Sequence, residues 1–264
     1  MHDTNGPIDP RYHLDAAART IDLLQAVAEY GPASVAALTS KLGWSKPMVY
    51  RLVRTLHACG ALTLRDDGYV LGPVMISLGR AALRSVRPVE AARPAMARIH
   101  EACGESTVLT VLDGTYIVYV DFIEADHLLV VKSRLGSRLP AAYTASGHAL
   151  LSRHSPDEIR ALYDGHTFEP PTPRAVSSVE DLLERLERVR ADGYAVIDQE
   201  LTEGHRASAA PVPDHTGSVA AAISISVPSA RVSMDRLVSL TETVLVPETR
   251  LLGTALGYGG DPRP

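Results

Sequence analysis

The strongest constraint in the sequence is a run of three short amphipathic segments followed by a tight hairpin, all within residues 14–72. Apolar side chains recur at helical spacing in each segment, which predicts three helices with one buried face each. These apolar positions are Ala17, Ile21, Leu24 and Ala28, then Leu38 and Leu42, then Val49, Leu52, Val53 and Leu56. Ser34 and Ser45 are placed to cap the second and third helices, and Asp66-Asp67-Gly68 forms the hairpin turn. This order of elements predicts a winged helix-turn-helix.

The outer face of the third helix has the composition that a DNA-reading helix needs. Arg side chains fork onto guanine edges in the major groove, and both Lys and Arg hold phosphates. From Lys41 to Arg65 the chain has five cationic residues and no acidic one. We therefore predict DNA binding, although such a scaffold can be purely structural and Pro47 can simply start the helix. The predicted DNA-binding residues are Ser45, Lys46, Pro47, Tyr50, Arg51, Arg54 and Arg65.

Charge is distributed unevenly along the 264 residues. Residues 41–100 contain ten Lys and Arg but three Asp and Glu, whereas the whole chain has net charge −5. A basic segment on an acidic chain favours a polyanion partner for that segment alone, and a solvated charged face is the alternative. No apolar run reaches the roughly 18 residues of a membrane span, and residues 1–11 predict a disordered tail rather than a signal peptide. Cys59 and Cys103 are far apart in sequence, so we expect a cytoplasmic protein without a disulfide.

After a DNA-binding domain over 12–72, the sequence predicts a linker helix over 73–90 and a second domain over 91–260. Short β-prone runs alternate there with helical segments, which predicts an α+β fold with an antiparallel sheet. Pro247 lies inside the last helical segment, 234–256, where its missing backbone donor predicts a kink or a break. The predicted strands are Thr107–Leu112, Thr115–Phe122, Leu128–Lys132, Ser208–Val212 and Ser218–Val227, and the predicted helices are Ala91–Cys103, Ser146–Ser152, Asp157–Tyr163 and Glu180–Ala191.

The sequence lacks the common motifs of enzymatic chemistry. It has no GxSxG, HExxH, P-loop or GxGxxG pattern, and its histidines lack metal-ligand spacing, so we expect no metal and no cofactor. Ser146 and His148 could act as nucleophile and base, but neighbours this close on one helix do not face each other. We expect that the protein is not an enzyme, and a small-molecule hydrolase using Ser146 stays open as the alternative.

A second candidate site combines a helix start with a strand. Small residues lead the chain into a helix near Ala145, and Ser224 and Ser226 alternate along a strand, so that both point to one face. The first backbone N–H groups of a helix attract anions, and two hydroxyls opposite them would suit a small carboxylate. The alternative is an ordinary helix cap beside a serine-rich strand.

Taken together, these features resemble the IclR family of bacterial transcriptional regulators over residues 14–256. The motifs of the second domain that carry the resemblance are Leu135–Pro140, Thr144–Leu151, Gly193–Val196, Ala209–Val212 and Ala221–Ser226. Those of the first domain are Trp44–Leu52 and Asp67–Gly72. The resemblance implies a winged-helix DNA-binding domain, a linker helix and a GAF-like α/β effector-binding domain. It also implies dimers, often paired into tetramers, on palindromic operators of double-stranded DNA.

The resemblance also implies where an effector would bind. In members that sense small oxoacids, the pocket includes the helix start at Ala145–His148 and the hydroxyls of Ser224 and Ser226. Those members have an acidic residue where this sequence has Ile197, and a cysteine where it has Ala207. Both differences make the implied pocket less polar.

We therefore predict a ligand-responsive regulator of a catabolic operon, whose effector is a small organic acid. Aromatic acids are included because Asp198–Leu201 and Arg206 are similar to members that sense them. Arg134, His205 or Arg206 would neutralise the acid. The predicted partners are the operator, the effector and further copies of the chain in a homodimer or homotetramer, without a membrane. A constitutive DNA-binding protein with a vestigial pocket is a further alternative. The predicted effector-binding residues are Arg134, Ala145, Ser146, Gly147, His148, Asp198, His205, Arg206, Ala207, Ser224 and Ser226.

Overall fold

The structure is a computed structural model that describes residues 13–85, 88–127 and 134–259. The chain divides into two compact units, 1–85 and 86–264. The tail expected over 1–11 and the strand expected over Leu128–Lys132 lie outside the described residues.

The first unit is a cluster of helices with a two-stranded hairpin. Its core contains Leu23, Leu38, Val49, Val53 and Leu62, each at most 1% exposed. Three helices and the hairpin thus share one apolar centre, and the predicted winged helix-turn-helix is confirmed. The elements are α1 (Asp15–Tyr30), α2 (Val35–Leu42), α3 (Lys46–Ala58), β1 (Leu62–Arg65), β2 (Gly68–Leu71) and α4 (Pro73–Ser85).

The predicted buried face of α1 is wrong. Ile21 is 56% exposed, and Ala28 is exposed as well, whereas Leu23, Ala26 and Val27 are buried. The helix has two overlapping apolar stripes, and the stripe that contains Leu23, Ala26 and Val27 packs into the core. Because both stripes have helical spacing, periodicity alone does not choose between them.

The hairpin is tied to the loop between α1 and α2. Tyr69 exchanges two backbone hydrogen bonds with Ala33, at 2.9 and 3.0 Å. Gly68 has a φ of 143°, and a Cβ at this position would lie 2.8 Å from the Ala33 backbone. A glycine is therefore required where the hairpin turn meets that loop.

The second unit is built on a six-stranded antiparallel sheet with strand order β5-β4-β3-β8-β7-β6. Its strands are β3 (Ser106–Asp113), β4 (Tyr116–Ile123), β5 (Arg138–Pro140), β6 (Ala195–Asp198), β7 (His205–Pro213) and β8 (Val219–Pro228). Its helices are α5 (Pro88–Cys103), α6 (Ala145–Leu151), α7 (Pro156–Leu162), α8 (Val179–Asp192), α9 (Met234–Leu240) and α10 (Val246–Ala255). The predicted α+β fold with an antiparallel sheet is confirmed.

Helices cover both faces of this sheet. On one face, Ala207 and Ala209 of β7 pack in a cluster with residues of α6, α7 and α8. On the other face, Ala210 and Val212 of the same strand pack with residues of α5, α9 and α10. Successive side chains of a strand point to opposite faces, so each sheet residue can be assigned to one cluster or the other.

α5 and α10 each begin at or beside a proline. The break near Pro247 was predicted, whereas the start of α5 differs from the prediction. Pro247 is the second residue of α10 and follows a π-helical turn over Thr241–Leu245, which is the predicted break. α5 begins at Pro88 rather than at Ala91 and contains Pro94 in its interior. Proline fits the first position of a helix because the N–H there has no intrahelical partner, which explains why α5 can begin at Pro88.

Candidate DNA interface and effector-binding site

α3 is held in place by its inner face, which turns its outer face to solvent. Val49 and Val53 are fully buried, and Gly43 makes the turn from α2 with a φ of 66°. All the predicted DNA-binding residues are exposed, namely Ser45, Lys46, Pro47, Tyr50, Arg51, Arg54 and Arg65. The fold thus leaves the outer face of α3, and Arg65 at the end of β1, open to solvent.

The predicted side-chain cap of α3 is wrong. Ser45 occupies the N-cap position, but its hydroxyl makes no capping hydrogen bond. Its backbone carbonyl instead accepts hydrogen bonds from the N–H groups of Met48, at 3.0 Å, and Val49, at 3.1 Å. Pro47 is the second residue of α3, and the backbone N–H of that position usually donates to the side chain of the N-cap residue. Proline has no backbone N–H, so one of the usual donors to the Ser45 hydroxyl is missing.

The cationic groups of α3 are available for a polyanion. Among the described residues, Lys46, Arg51 and Arg54 form no ion pair with a carboxylate. The Arg54 guanidinium lies 5.9 Å from the centre of the Tyr50 ring, which restrains the arginine without neutralising it. An unpaired exposed cation gains most from a phosphate, because no internal ion pair has to break.

Ser224 and Ser226 do share one face of the sheet, as their alternation predicts. In the β7–β8 ladder, Ser224 is opposite Ala209 and Ser226 is opposite Ala207. Both alanines belong to the cluster that α6 covers. The two hydroxyls therefore point to the side of the sheet where α6 packs against β7 and β8.

The start of α6 is buried and closely packed. The Gly147 N–H donates to the Thr144 hydroxyl at 3.0 Å, so one of the backbone donors at this helix start is already used. A Cβ on Gly147 would lie 2.0 Å from the Ala141 carbonyl oxygen, which explains the glycine. Ser146 and Ser224 are 5% and 6% exposed, and in the described part of the chain their hydroxyls have no hydrogen-bond partner. Neither hydroxyl oxygen is among the fully buried atoms that have no partner, so each keeps some access to solvent and is free to bond to a ligand.

Neither predicted histidine carries charge at neutral pH. Burial lowers the pKa of His205 to about 4, and a 2.8 Å hydrogen bond joins its Nε2 atom to the Ser226 hydroxyl. Burial likewise lowers the pKa of His148 to about 4, and its Nε2–H donates to the Ala142 carbonyl at 2.7 Å. His205 thus adjoins the serines but cannot neutralise an acid by its charge, and His148 is engaged in holding the loop before α6.

Asp198 and Arg206 lie on the opposite face of the sheet from the serines, which corrects their expected role in the pocket. They are cross-strand neighbours, and Arg206 is opposite Val227, a residue of the other cluster. Arg206 donates to Asp198 at 2.7 Å and to the Val232 carbonyl at 2.9 Å. Burial raises the pKa of Asp198, but the hydrogen bonds from Arg206 and Gln199 and the charges of Arg206 and Arg174 together outweigh it and hold that pKa below its ordinary value. Arg134 is exposed in the loop before β5.

Two family models match the chain, the IclR helix-turn-helix domain over residues 16–66 and the C-terminal domain of bacterial IclR transcriptional regulators over residues 80–246. The chain belongs to the IclR family. The HTH-type transcriptional regulator KdgR of Escherichia coli is 31% identical over 247 residues, which span 93% of this chain and 94% of KdgR. The Pca regulon regulatory protein of Pseudomonas putida is 30% identical over 231 residues, which span 87% of this chain and 79% of that protein.

Solved structures of the IclR family share the fold. The IclR protein of Thermotoga maritima superimposes with a TM-score of 0.75 at 26% identity, covering 93% of this chain and all of that one (100%). A transcriptional regulator from Rhodococcus gives a TM-score of 0.76 at 28% identity, covering 93% of this chain and 97% of that one. These relatives are transcriptional regulators, so this IclR-family protein is a DNA-binding regulator and not an enzyme.

Two further observations bear on what this IclR-family protein can do. The Nε2–H of His148 donates to a backbone carbonyl rather than facing Ser146, so the two residues do not form a nucleophile and base pair. Among the described residues, none of the helices combines the length and the apolarity that crossing a membrane requires. The same residues contain no group of three His, Cys, Asp or Glu side chains that could hold a metal ion.

Sequence analysis missed two residues of the second unit. Thr144 caps α6, which places the helix start one residue before the predicted Ser146. The signal was present, because a threonine three residues before Gly147 fits the N-cap spacing. Glu200 is buried at 3% exposure; it lies in the segment Asp198–Leu201 that is similar to members sensing aromatic acids, but its side chain was not predicted to bind a ligand.

Proposed function

We propose that this protein is a ligand-responsive regulator of a catabolic operon, that it binds palindromic double-stranded DNA as a dimer or tetramer, and that a small organic acid controls it. The observation that carries the DNA part is the exposed, unpaired cationic face of α3. The observation that carries the effector part is that the largely buried residues Ser146 and Ser224 have hydroxyls without a hydrogen-bond partner among the described residues. The relative from Pseudomonas putida is named as the regulator of the Pca regulon, which supports control of a catabolic operon.

The described pocket residues limit which interactions can hold the carboxylate of the acid. His205 is neutral, and Arg206 lies on the other face of the sheet. The carboxylate would therefore accept hydrogen bonds from the Ser146, Ser224 and Ser226 hydroxyls, with Ala207 leaving room for an apolar group beside them. Hydrogen bonds to an ionised acceptor are worth about 1.5–3 kcal/mol each, so two or three can hold a small acid without an ion pair.

The salt dependence of operator binding tests the DNA part. The double variant Arg51→Ala and Arg54→Ala should bind an operator duplex more weakly and flatten the log–log salt slope by about two per protomer, since each phosphate contact contributes about 0.9. The matched control is Arg153→Ala with Arg188→Ala, which removes two exposed cations from the second unit. Fluorescence anisotropy at several salt concentrations measures both slopes. An unchanged slope in the α3 variant would exclude α3 as the DNA-reading element.

A thermal-shift screen tests the effector part. An acid that binds the folded protein raises its melting temperature, by an amount that corresponds to about 2.7 kcal/mol at a hundredfold excess over Kd. The double variant Ser224→Val and Ser226→Val should lose this rise and keep operator affinity. Ser218→Val, an exposed serine just before the same strand, is the control that should keep the rise. If no aromatic or aliphatic acid shifts the wild-type protein, the alternative of a constitutive DNA-binding protein with a vestigial pocket is favoured.

A further inference from the structure

A separate cavity lies at the free edge of the sheet, away from the serine face. Among the described strands, β6 is the last in the sheet order and pairs with β7 alone. Beside its carboxyl end is a cavity of about 470 Å³, lined by Arg174, Arg185, Val196, Asp198, Glu200 and Met234. Val196 and Asp198 alternate with Ile197, which belongs to the serine-side cluster, so they point away from that side. The cavity is therefore distinct from the proposed effector site.

Glu200 is the unusual group in this cavity. Its side chain is 4% exposed, and its Oε1 atom lies 3.4 Å from an Arg185 nitrogen. Its Oε2 atom is buried and has no hydrogen-bond partner among the described residues. Burial raises the pKa of Glu200 to about 7, so a large share of it is ionised at neutral pH. A buried carboxylate oxygen without a donor is costly, which makes this oxygen a place where a ligand would gain affinity.

The backbone before Glu200 is held in an uncommon conformation that directs it inward. Gln199 has a φ of 62°, which is rare for a residue with a side chain. Three hydrogen bonds fix it: its N–H donates to the His205 carbonyl at 2.8 Å, its amide oxygen accepts from Gly204 at 3.0 Å, and its carbonyl accepts from Thr172 at 2.8 Å. Such backbone conformations persist where the surroundings determine them, and they cluster at functional sites.

The other charges of the cavity decide which ligand fits. Arg174 is paired with Asp198, and Asp198 also accepts from Arg206, so these three groups satisfy one another. What remains is one free acceptor on Glu200 beside an Arg185 guanidinium that is 35% exposed and makes one long contact. Val196 and Met234 add an apolar wall. A free acceptor next to a cation matches a molecule that has a donor next to a carboxylate.

We propose that this cavity binds a small zwitterion with an ammonium and a carboxylate group, the chemistry of a free amino acid with an apolar side chain. The ammonium donates to Glu200 Oε2, the carboxylate accepts from Arg185, and the side chain lies against Val196 and Met234. Both charges of the bound ligand are therefore paired with a charge of the protein. Pairing of this kind is what keeps the cost of burying a charge low. The site goes beyond the proposed effector pocket, and its occupation does not depend on Ser224 or Ser226.

Isothermal titration calorimetry of the full chain with L-leucine tests the proposal. Isocaproate and isoamylamine, which each keep one of the two charges, are the matched probes. L-leucine should bind with a Kd of about 1 mM or tighter, and each single-charge probe should bind at least about tenfold more weakly. Wild-type protein that is folded and gives no heat with L-leucine at millimolar concentration would overturn the proposal. So would isocaproate binding as tightly as L-leucine.

Variants of the lining residues test whether the heat measured with L-leucine comes from binding in this cavity. Glu200→Gln keeps the shape of the side chain, and Arg185→Gln alters a partly exposed residue of α8; each should weaken L-leucine binding by about tenfold or more. The control Glu187→Gln removes an exposed acid from the same helix and should bind as the wild type does. The variant with Ser224→Val and Ser226→Val should also keep L-leucine binding. Unchanged binding in a folded Arg185→Gln protein would overturn the assignment, even if Glu200→Gln did not fold.

Discussion

His148 makes the second unit sensitive to acid by an amount that can be worked out. The side chain is 1% exposed, and burial lowers its pKa from 6.5 to about 4. In the unfolded chain the ring takes up a proton below its ordinary pKa, whereas in the folded protein it stays neutral to about pH 4. The unfolded state therefore binds more protons within this window, and the free energy of unfolding falls as the pH drops from 6.5 to 4.

The magnitude follows from the size of this pKa difference. At 1.36 kcal/mol per pKa unit, the fall that His148 causes reaches about 3 kcal/mol at pH 4. The variant His148→Gln removes the titration but keeps an N–H donor for the Ala142 carbonyl. The stability of the wild type relative to this variant should therefore fall by about 3 kcal/mol between pH 7 and pH 4.

Urea unfolding followed by far-ultraviolet circular dichroism measures this difference, with the transition of the second unit fitted separately from that of the first. The control is His215→Gln, which replaces an exposed histidine of the same unit. The pH-dependent change in stability should be larger for His148→Gln than for this control. A constant difference between His148→Gln and the wild type would refute the reasoning, since it would mean that the ring takes up its proton equally in the folded and unfolded protein.

The remaining predictions concern stability and use the same urea assay. Glu200→Gln should show the opposite pH dependence, because burial raises the Glu200 pKa from 4.5 to about 7. The variant should gain stability relative to the wild type by up to about 3 kcal/mol as the pH rises from 4.5 to 8, and no gain would contradict the cost assigned to burying this carboxylate. Gly147→Ala should destabilise the second unit by about 1–3 kcal/mol or more, since its Cβ would meet the Ala141 carbonyl oxygen at 2.0 Å. Ser34→Ala should cost the first unit about 1 kcal/mol by removing the hydroxyl that accepts from the Ala37 N–H at 3.1 Å.

Much of the DNA-binding unit could be predicted from its sequence because side-chain spacing alone sets the rotation of α3. Val49, Val53 and Leu56 are buried, as their spacing indicates, and Arg51 and Arg54 must then point outward. The same reasoning failed for α1, where two apolar stripes have equal periodicity. Burial against the rest of the core decided between them, and that information is not local.

The parts of the candidate effector site that lie on strands could be predicted from the alternation of side chains between the two faces of the sheet. Alternation correctly placed Ser224 and Ser226 on one face. Applied to β7, it would also have separated Arg206 from His205 and Ala207, because adjacent residues of a strand point to opposite faces. The Glu200 cavity could not be predicted in this way, since it depends on the backbone reversal at Gln199, which no sequence period indicates.

We propose that one chain binds DNA with α3 and responds to a small acid bound at the sheet face that carries Ser224 and Ser226. The most direct test is the affinity for an operator duplex, taken from the DNA flanking the protein's own gene, with and without an acid that raises the melting temperature. We predict that the acid changes operator Kd by about 5–150-fold in the wild type and leaves it unchanged in the variant with Ser224→Val and Ser226→Val. An acid that raises the melting temperature but leaves wild-type operator Kd unchanged, or shifts both proteins equally, would contradict the claim.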